Sequence, residues 1–355
     1  MAVPISRLVA DLKSIEQAAF DSVIDVRSPA EFADDHIPGA INLPVLDNEQ
    51  RAEIGTLYKQ QSPFMAKRAG AALVARNIAH HLETSLRGMP REWRPLVYCW
   101  RGGQRSGAMA KVFSDIGWRA SVIDGGYKAY RRAVLNQLEA LPAGLNLILI
   151  AGKTGTAKTR ILRAGQARGL QVIDLEGLAS HRGSLLGREP GQTQPSQRLF
   201  ESRLAAVLGR MSPARPVFVE AESNKIGQLH VPPALWAQMR SAGRITIDAP
   251  LAARIAFLLD DYRHITVDHS DVARLLSGLR TRHSGALIQS WKDQIESGDW
   301  ASLIASLLES HYDPSYSRST ASRGAQELMT LSTERLDSEA VDGLVARLVR
   351  FDKQL

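Results

Sequence analysis

A single cysteine, Cys99, stands in 355 residues, which excludes any internal disulfide. A chain without that cross-link suits a reducing compartment, and a cytoplasmic protein is expected. No apolar run approaches the roughly 18 residues of a membrane span, so no membrane partner is expected. The opening Met1-Ala2-Val3-Pro4-Ile5 lacks a basic stretch followed by an apolar core, and no signal peptide is expected. Internal repeats and low-complexity segments are also missing. What is present is ordinary globular usage, 44% hydrophobic and 23% charged, at a length that suggests two or three domains.

The formal net charge is +7. Between Arg91 and Arg132 there are nine Lys/Arg and only three acids, so nearly the whole excess is local. A basic field of this kind suits a polyanion or a phosphorylated small molecule; a solvated basic face is the plainer alternative.

Strands and helices alternate twice. Residues 22–26 read as a short buried strand, after which Ser28 caps and Pro29 opens a short helix. A turn and a short strand follow within 36–44 and strands at 96–98 and 120–123, with helical spacing over 62–87 and 106–116. Pro142-Ala143-Gly144 marks a boundary, and the alternation restarts with strands at 145–150, 171–174, 216–220 and 244–247. Helices are expected at 159–167, 196–208 and 252–261, and from about 270 onward the pattern is helical. This predicts an α/β protein: a parallel-sheet domain over 1–140, a second α/β domain over 144–270, and a helical C-terminal extension over 271–355.

The first chemical signal is Tyr98-Cys99-Trp100-Arg101-Gly102-Gly103-Gln104-Arg105-Ser106, between a strand and a helix. Such a loop turns backbone N–H groups inward at a helix N-terminus and makes an anion cradle. That field, with Arg101 and Arg105 nearby, favours the thiolate of Cys99. Five residues separate Cys99 from Arg105, one more than in typical sulfurtransferases and the spacing of cysteine-dependent phosphatases. Chalcogen transfer and dephosphorylation both remain open on the loop alone.

The second signal is Gly152-Lys153-Thr154-Gly155-Thr156-Ala157-Lys158-Thr159, again between strand and helix. It matches the phosphate-binding G-x-x-x-x-G-K-T loop except at Ala157, where glycine is usual. Lys158 would reach a terminal phosphate and Thr159 would ligate Mg²⁺ where that ion binds. Asp174, Glu176, Glu220 and Glu222 are acidic candidates at strand ends, where α/β ligands bind; His181 and Arg182 suit anion contact. Tyr127, Lys128, Tyr130, Arg131 and Arg132 interleave aromatics with cations, as single-stranded RNA binding favours; two core tyrosines beside solvated cations are the plainer alternative.

Asp25-Val26-Arg27-Ser28, Glu31-Phe32 and the stretch from His36 to Pro44 resemble the opening of a rhodanese domain, with Cys99 in the place of its persulfide-carrying cysteine. These features, the phosphate loop, Gly125-Gly126-Tyr127-Lys128-Ala129-Tyr130-Arg131, the stretch from Asp174 to Ser184 and His311-Tyr312-Asp313-Pro314-Ser315-Tyr316 together resemble the tRNA 2-selenouridine synthase family over nearly the full length. The resemblance implies a rhodanese-like domain fused to a P-loop NTPase-like domain. It implies replacement of sulfur by selenium in 2-thiouridine at the tRNA wobble position, with selenophosphate as donor. It also implies an S-geranyl intermediate made with geranyl diphosphate. No tightly bound cofactor and no dedicated metal site are expected, and a monomer is expected. The other readings are a cysteine-dependent phosphatase or plain sulfurtransferase with an accessory P-loop domain, and a nucleotide-dependent RNA-binding module.

Overall fold

A computed structural model describes residues 3–8, 12, 15, 20–182, 193–221, 223–263, 272, 276, 278–321 and 326–354. The chain divides into two compact units, Met1–Leu138 with Pro195–Gly209, and Glu139–Gln194 with Arg210–Leu355. Each carries a five-stranded parallel sheet. Among the described residues no helix is long and apolar enough to cross a membrane.

In the first unit the strands are β1 (Ser6–Leu8), β2 (Ser22–Asp25), β3 (Ile41–Asn42), β4 (Pro95–Tyr98) and β5 (Ser121–Ile123), in the spatial order β1-β5-β4-β2-β3. β4 is central and buried at every position, as parallel strands covered on both faces are. Helix α1 (Pro29–Asp34) starts as its sequence dictates: Pro29 fixes the first helical φ, and the Ser28 N–H donates to the Glu31 carboxylate at 3.3 Å. Two helices, α2 (Asn48–Gln60) and α3 (Pro63–Glu83), form a hairpin between β3 and β4. Then come α4 (Gln104–Ile116) after the cysteine loop and α5 (Gly126–Ala140) after β5. Ile24, Val26, Val97, Met109, Phe113 and Trp93 form the heart of this core.

The second unit runs through β6 (Leu147–Ala151), α6 (Lys158–Ala167), β7 (Gln171–Ile173) and α7 (Leu175–Ala179). The next helix, α8 (Gln197–Gly209), lies within the range expected for the second domain but clusters with the first. There Gln137 Nε2 donates to the Ala205 carbonyl at 2.7 Å, and Arg131 pairs with Glu201. The second unit resumes with β8 (Val217–Glu220), a small hairpin of β9 (Lys225–Ile226) and β10 (Leu229–His230), α9 (Pro233–Ser241), β11 (Gly243–Asp248) and α10 (Leu251–Asp261).

After these, α11 (Gly285–Glu296), α12 (Trp300–Leu307), one π-helical turn at Leu308–Tyr312 and α13 (Asp313–Ala321) form the helical part. Here the structure departs from the sequence reading: β12 (Glu327–Ser332) returns to the sheet, parallel to β11, and α14 (Ser338–Asp352) follows it. The order is β12-β11-β6-β8-β7, with β6 at the centre. Leu344, Val345 and Leu348 of α14 share one core with Ile161 and Leu162 of α6.

Candidate active site: two anion cradles

Cys99 ends the central strand of the first sheet and is buried. The Ser106 hydroxyl donates to Cys99 Sγ at 3.2 Å. Burial works against the thiolate, but the Ser106 hydroxyl and the backbone groups of Ser106, Arg101 and Gly103 outweigh it and hold the thiol below its ordinary value. The backbone therefore does what the sequence reading assigned partly to arginine. Arg105 is instead turned to Glu31, at 3.1 Å, and that pairing helps hold the Glu31 carboxyl low against its burial. Arg101, Gln104 and Gly103 are exposed, and Trp100 stands 37% exposed beside Tyr127, ring centroids 5.2 Å apart.

The loop is shaped from behind by the Gly125-Gly126 turn. The Tyr127 and Lys128 N–H groups donate to the carbonyls of Cys99 and Trp100 at 2.8 and 3.0 Å. That ties two loop carbonyls to the first turn of α5 and leaves the N–H side for an anion. Gly102 and Gly126 both have positive φ, and a Cβ on Gly126 would lie 2.2 Å from the Cys99 carbonyl and 2.4 Å from the Gly102 nitrogen. Gly126→Ala is accordingly expected to cost about 2–4 kcal/mol from strain and overpacking. It should also slow iodoacetamide alkylation of Cys99, and urea unfolding with thiol kinetics checks both.

Tyr127 and Tyr130 do not serve the stacking role expected from their sequence. Both are buried, with the Tyr127 hydroxyl donating to Asp35 at 2.8 Å and the Arg27 guanidinium 3.9 Å from the Tyr127 ring centre. Spaced three apart and continued by Val134 and Leu138, they form the buried stripe of α5. Arg131 is half-buried between Glu201 and Asp35, whereas Lys128 and Arg132 are exposed.

In the second unit the phosphate loop joins β6 to α6 at the carboxyl edge of the central strand. Gly152 and Gly155 have positive φ, and Ala157 takes the left-handed conformation at φ 59° that glycine would occupy without strain. Its methyl is buried in the core with Ile161 and Leu162. Lys158 Nζ lies across the loop, donating to the carbonyls of Gly152 and Lys153 at 2.8 and 3.3 Å. The Thr159 hydroxyl donates to Glu176 at 2.5 Å.

Asp174 caps α7 through the Gly177 N–H at 2.7 Å and receives Arg163 at 2.6 Å. His181 is buried behind the end of α7, and Arg182 bonds Asp261 at 2.6 Å beside the Tyr262 ring. Glu222 lies outside the described residues.

Glu220 is fully buried at the end of β8, accepting from the Leu175 N–H at 3.0 Å with its other oxygen unpartnered among the described residues. Burial, with Asp174 and Glu176 adding to it, raises this carboxyl well above its ordinary value near 4.5. The folded state thus keeps a proton that the unfolded chain loses first, so this group costs stability as pH rises past the unfolded value. Glu220→Gln should gain in Tm relative to the parent chain as pH goes from 5 to 8, by calorimetry; a difference independent of pH would mean Glu220 is ionised in the fold.

Three residues outside the expected loop complete this cradle. Asp313, the first residue of α13, holds Arg254 through two 2.8 Å bonds and lies 3.6 Å from Lys153. Arg254 also reaches the Thr154 carbonyl at 3.2 Å, and the Gly152 N–H donates to the Tyr316 hydroxyl at 2.9 Å. The sequence carried this segment as a motif but gave no sign that it meets the phosphate loop. Beside the loop lies a cavity of about 490 Å³. Lys158, Thr159, Glu176, Arg182 and Asp261 line it with polar groups, and Ala164, Phe257, Leu258, Tyr262 and Tyr312 with apolar surface.

Residues 8–133 match the rhodanese-like domain model, and residues 145–274 match the model of the tRNA 2-selenouridine synthase AAA domain. A tRNA 2-selenouridine synthase of Alcanivorax borkumensis is 35% identical over 329 residues, covering 83% of this chain and 88% of that one. This chain belongs to the tRNA 2-selenouridine synthase family. A second tRNA 2-selenouridine synthase, from Shewanella loihica, is 32% identical over 83% of this chain and 86% of its own. Among solved structures, a rhodanese-related protein of Thermoplasma volcanium is similar over 36% of this chain and 91% of that one, at 19% identity and TM-score 0.24.

Proposed function

We propose that this enzyme replaces the sulfur of 2-thiouridine in tRNA with selenium, through an S-geranyl intermediate, and that the two cradles divide the work. The observation that carries the reading is the cavity at the phosphate loop. Its lining includes Lys158 and Arg182, which suit a diphosphate, together with Phe257, Leu258, Tyr262 and Tyr312, which suit a short prenyl chain.

In the first step the thiocarbonyl sulfur attacks the first carbon of geranyl diphosphate. The S–C bond forms, the C–O bond breaks, the ring N3 proton passes to solvent, and diphosphate departs into the N–H groups and cations of the loop. Alkylation turns a poor leaving group into a good one. Thr159 and Glu176 present oxygen donors that suit Mg²⁺; where it binds, the ion would neutralise part of the departing charge.

In the second step the Cys99 thiolate attacks the phosphorus of selenophosphate and the P–Se bond breaks; the freed selenide attacks the ring carbon, the C–S bond breaks and geranylthiol leaves, and water releases the phosphoryl group from Cys99 as phosphate. Selenophosphate is a tetrahedral anion, which fits a cysteine loop one residue longer than that of typical sulfurtransferases. Cys99 is the nucleophile at the floor of that loop, and its thiolate is the form that can take the phosphoryl group from the donor. Lys128 and Arg132 remain available for phosphate contact on the exposed side of α5. The cytoplasm, where charged tRNA pools lie, is the expected location, and a monomer the expected state.

Nucleoside mass spectrometry of 2-thiouridine tRNA incubated with the enzyme, selenophosphate and geranyl diphosphate tests this directly. Both S-geranyl-2-thiouridine and 2-selenouridine are expected; neither forming would sink the reading. Phosphate release from simple phosphoesters without tRNA would favour the phosphatase chemistry that the spacing from Cys99 to Arg105 also permits.

A further inference from the structure

The hairpin of α2 and α3 is anchored at its base and bare at its tip. Asn77 donates to the Val45 carbonyl at 3.0 Å, His81 bonds the Pro44 carbonyl at 2.9 Å, and Ile78 is buried in the core. Near the middle, Gly70 packs against Ile54 with just enough room, since a Cβ there would meet that side chain at 3.5 Å. Beyond this contact the chain turns at Gln61 and Ser62. Ser62 caps α3 through the Phe64 N–H at 3.3 Å, and Pro63 opens the helix.

The residues flanking this turn are apolar where solvent should be. Phe64 is 71% exposed, Tyr58 54% and Met65 44%. They are interleaved with exposed Lys59, Lys67 and Arg68. From 56 to 76 the chain carries four cations, the fourth being Arg76, and no acid. None of the four is paired with a described carboxylate.

We infer that this tip is an RNA-contact surface, on which unpaired bases of the tRNA substrate stack against Phe64 and Tyr58 while Lys59, Lys67 and Arg68 hold the adjoining phosphates. The inference rests on the tRNA reading above and places part of that recognition away from the cysteine loop. Stacked aromatics between cations are what a flexible single strand requires, because every base has a π-face and every linkage a charge. A second copy of this chain is the poorer occupant. In a two-fold contact the same patch faces itself, which would set the six like charges of Lys59, Lys67 and Arg68 together. The buried rings of Tyr127 and Tyr130, by contrast, offer no face to a base.

The test is binding of full-length 2-thiouridine tRNA to the whole protein, by fluorescence anisotropy over a salt series, with Cys99 alkylation rate as the check on folding. Tyr58→Ala and Phe64→Ala are each expected to weaken binding about ten-fold, and Phe64→Trp to retain it. Lys59→Ala with Arg68→Ala should lower the slope of log K against log salt by about 1.5. Unchanged affinity and slope in every variant, while the parent chain binds and converts tRNA, would overturn the inference and leave the tRNA reading standing. Failure of the parent chain to bind tRNA would overturn both. Loss of self-association by sedimentation, without loss of RNA affinity, would make the tip an interface between copies and overturn it too.

Discussion

Cys99→Ser should make no 2-selenouridine while its tRNA accumulates S-geranyl-2-thiouridine. The selenium step should fall by about 10³–10⁶-fold, the range for deleting a nucleophile that acts as part of a unit. The substitution is nearly isosteric and Cys99 is buried directly after a fully buried strand, so the fold should survive. What changes is charge state: the cradle that draws the thiol below its ordinary value cannot bring a serine hydroxyl near ionisation at neutral pH.

The same cradle predicts a pH profile. The selenium step should rise with pH through the lowered thiol value and then level off. Ser106→Ala, which removes the 3.2 Å hydroxyl bond to Sγ, should move that rise to higher pH. Nucleoside mass spectrometry across pH reads both effects, and near-normal 2-selenouridine from a folded Cys99→Ser would remove the cysteine from the mechanism.

Lys158→Ala should lose geranylation by roughly 10²–10³-fold, as deleting one electrostatic stabiliser of a developing charge typically does. In the structure Lys158 Nζ lies over two loop carbonyls, 2.8 and 3.3 Å away, a position from which it can meet a diphosphate held by the loop N–H groups. Without it the departing charge is left unbalanced. Cys99→Ala should geranylate normally, since the sulfur of the nucleoside is itself the nucleophile in that step. Pre-geranylated tRNA should therefore rescue selenation by Lys158→Ala at least partly, and should not rescue Cys99→Ala. If Cys99→Ala blocked geranylation, or Lys158→Ala geranylated yet could not selenate, the two cradles would be one shared site or assigned the wrong way round.

The sequence exposed what is encoded locally. Leu147–Ala151 reads as a buried parallel strand because every residue in it is apolar, and both cradles read from glycines set between a strand and a helix. It hid what depends on distant partners. β12 has the burial pattern of an edge strand, with one fully buried residue in six, so no alternation announces it. Asp313 and Tyr316 are ordinary polar positions until the fold sets them over the phosphate loop.

Tyr127 and Tyr130 were a different case, for their three-residue spacing, extended to Val134 and Leu138, was a legible core stripe. The interleaved cations leave RNA stacking and core packing equally open in the sequence, and burial decides for the core. The hairpin tip was missed for the opposite reason: Tyr58, Phe64 and Met65 look like core in a sequence, and only their exposure sets them apart.

The lock between the Gly152 N–H and the Tyr316 hydroxyl spans 164 residues, and this fixes the order in which the second unit can mature during synthesis. β6, β7, β8 and β11 leave the ribosome before α13, β12 and α14 exist. Until then the phosphate loop lacks Asp313 and Tyr316, and β11 is an open sheet edge, the kind that pairs with foreign strands. The family model ends at residue 274, but the foldable unit does not. A chain cut there would keep every residue of the loop motif and lose the hydroxyl and carboxylate that complete the site and the strand that covers the β11 edge.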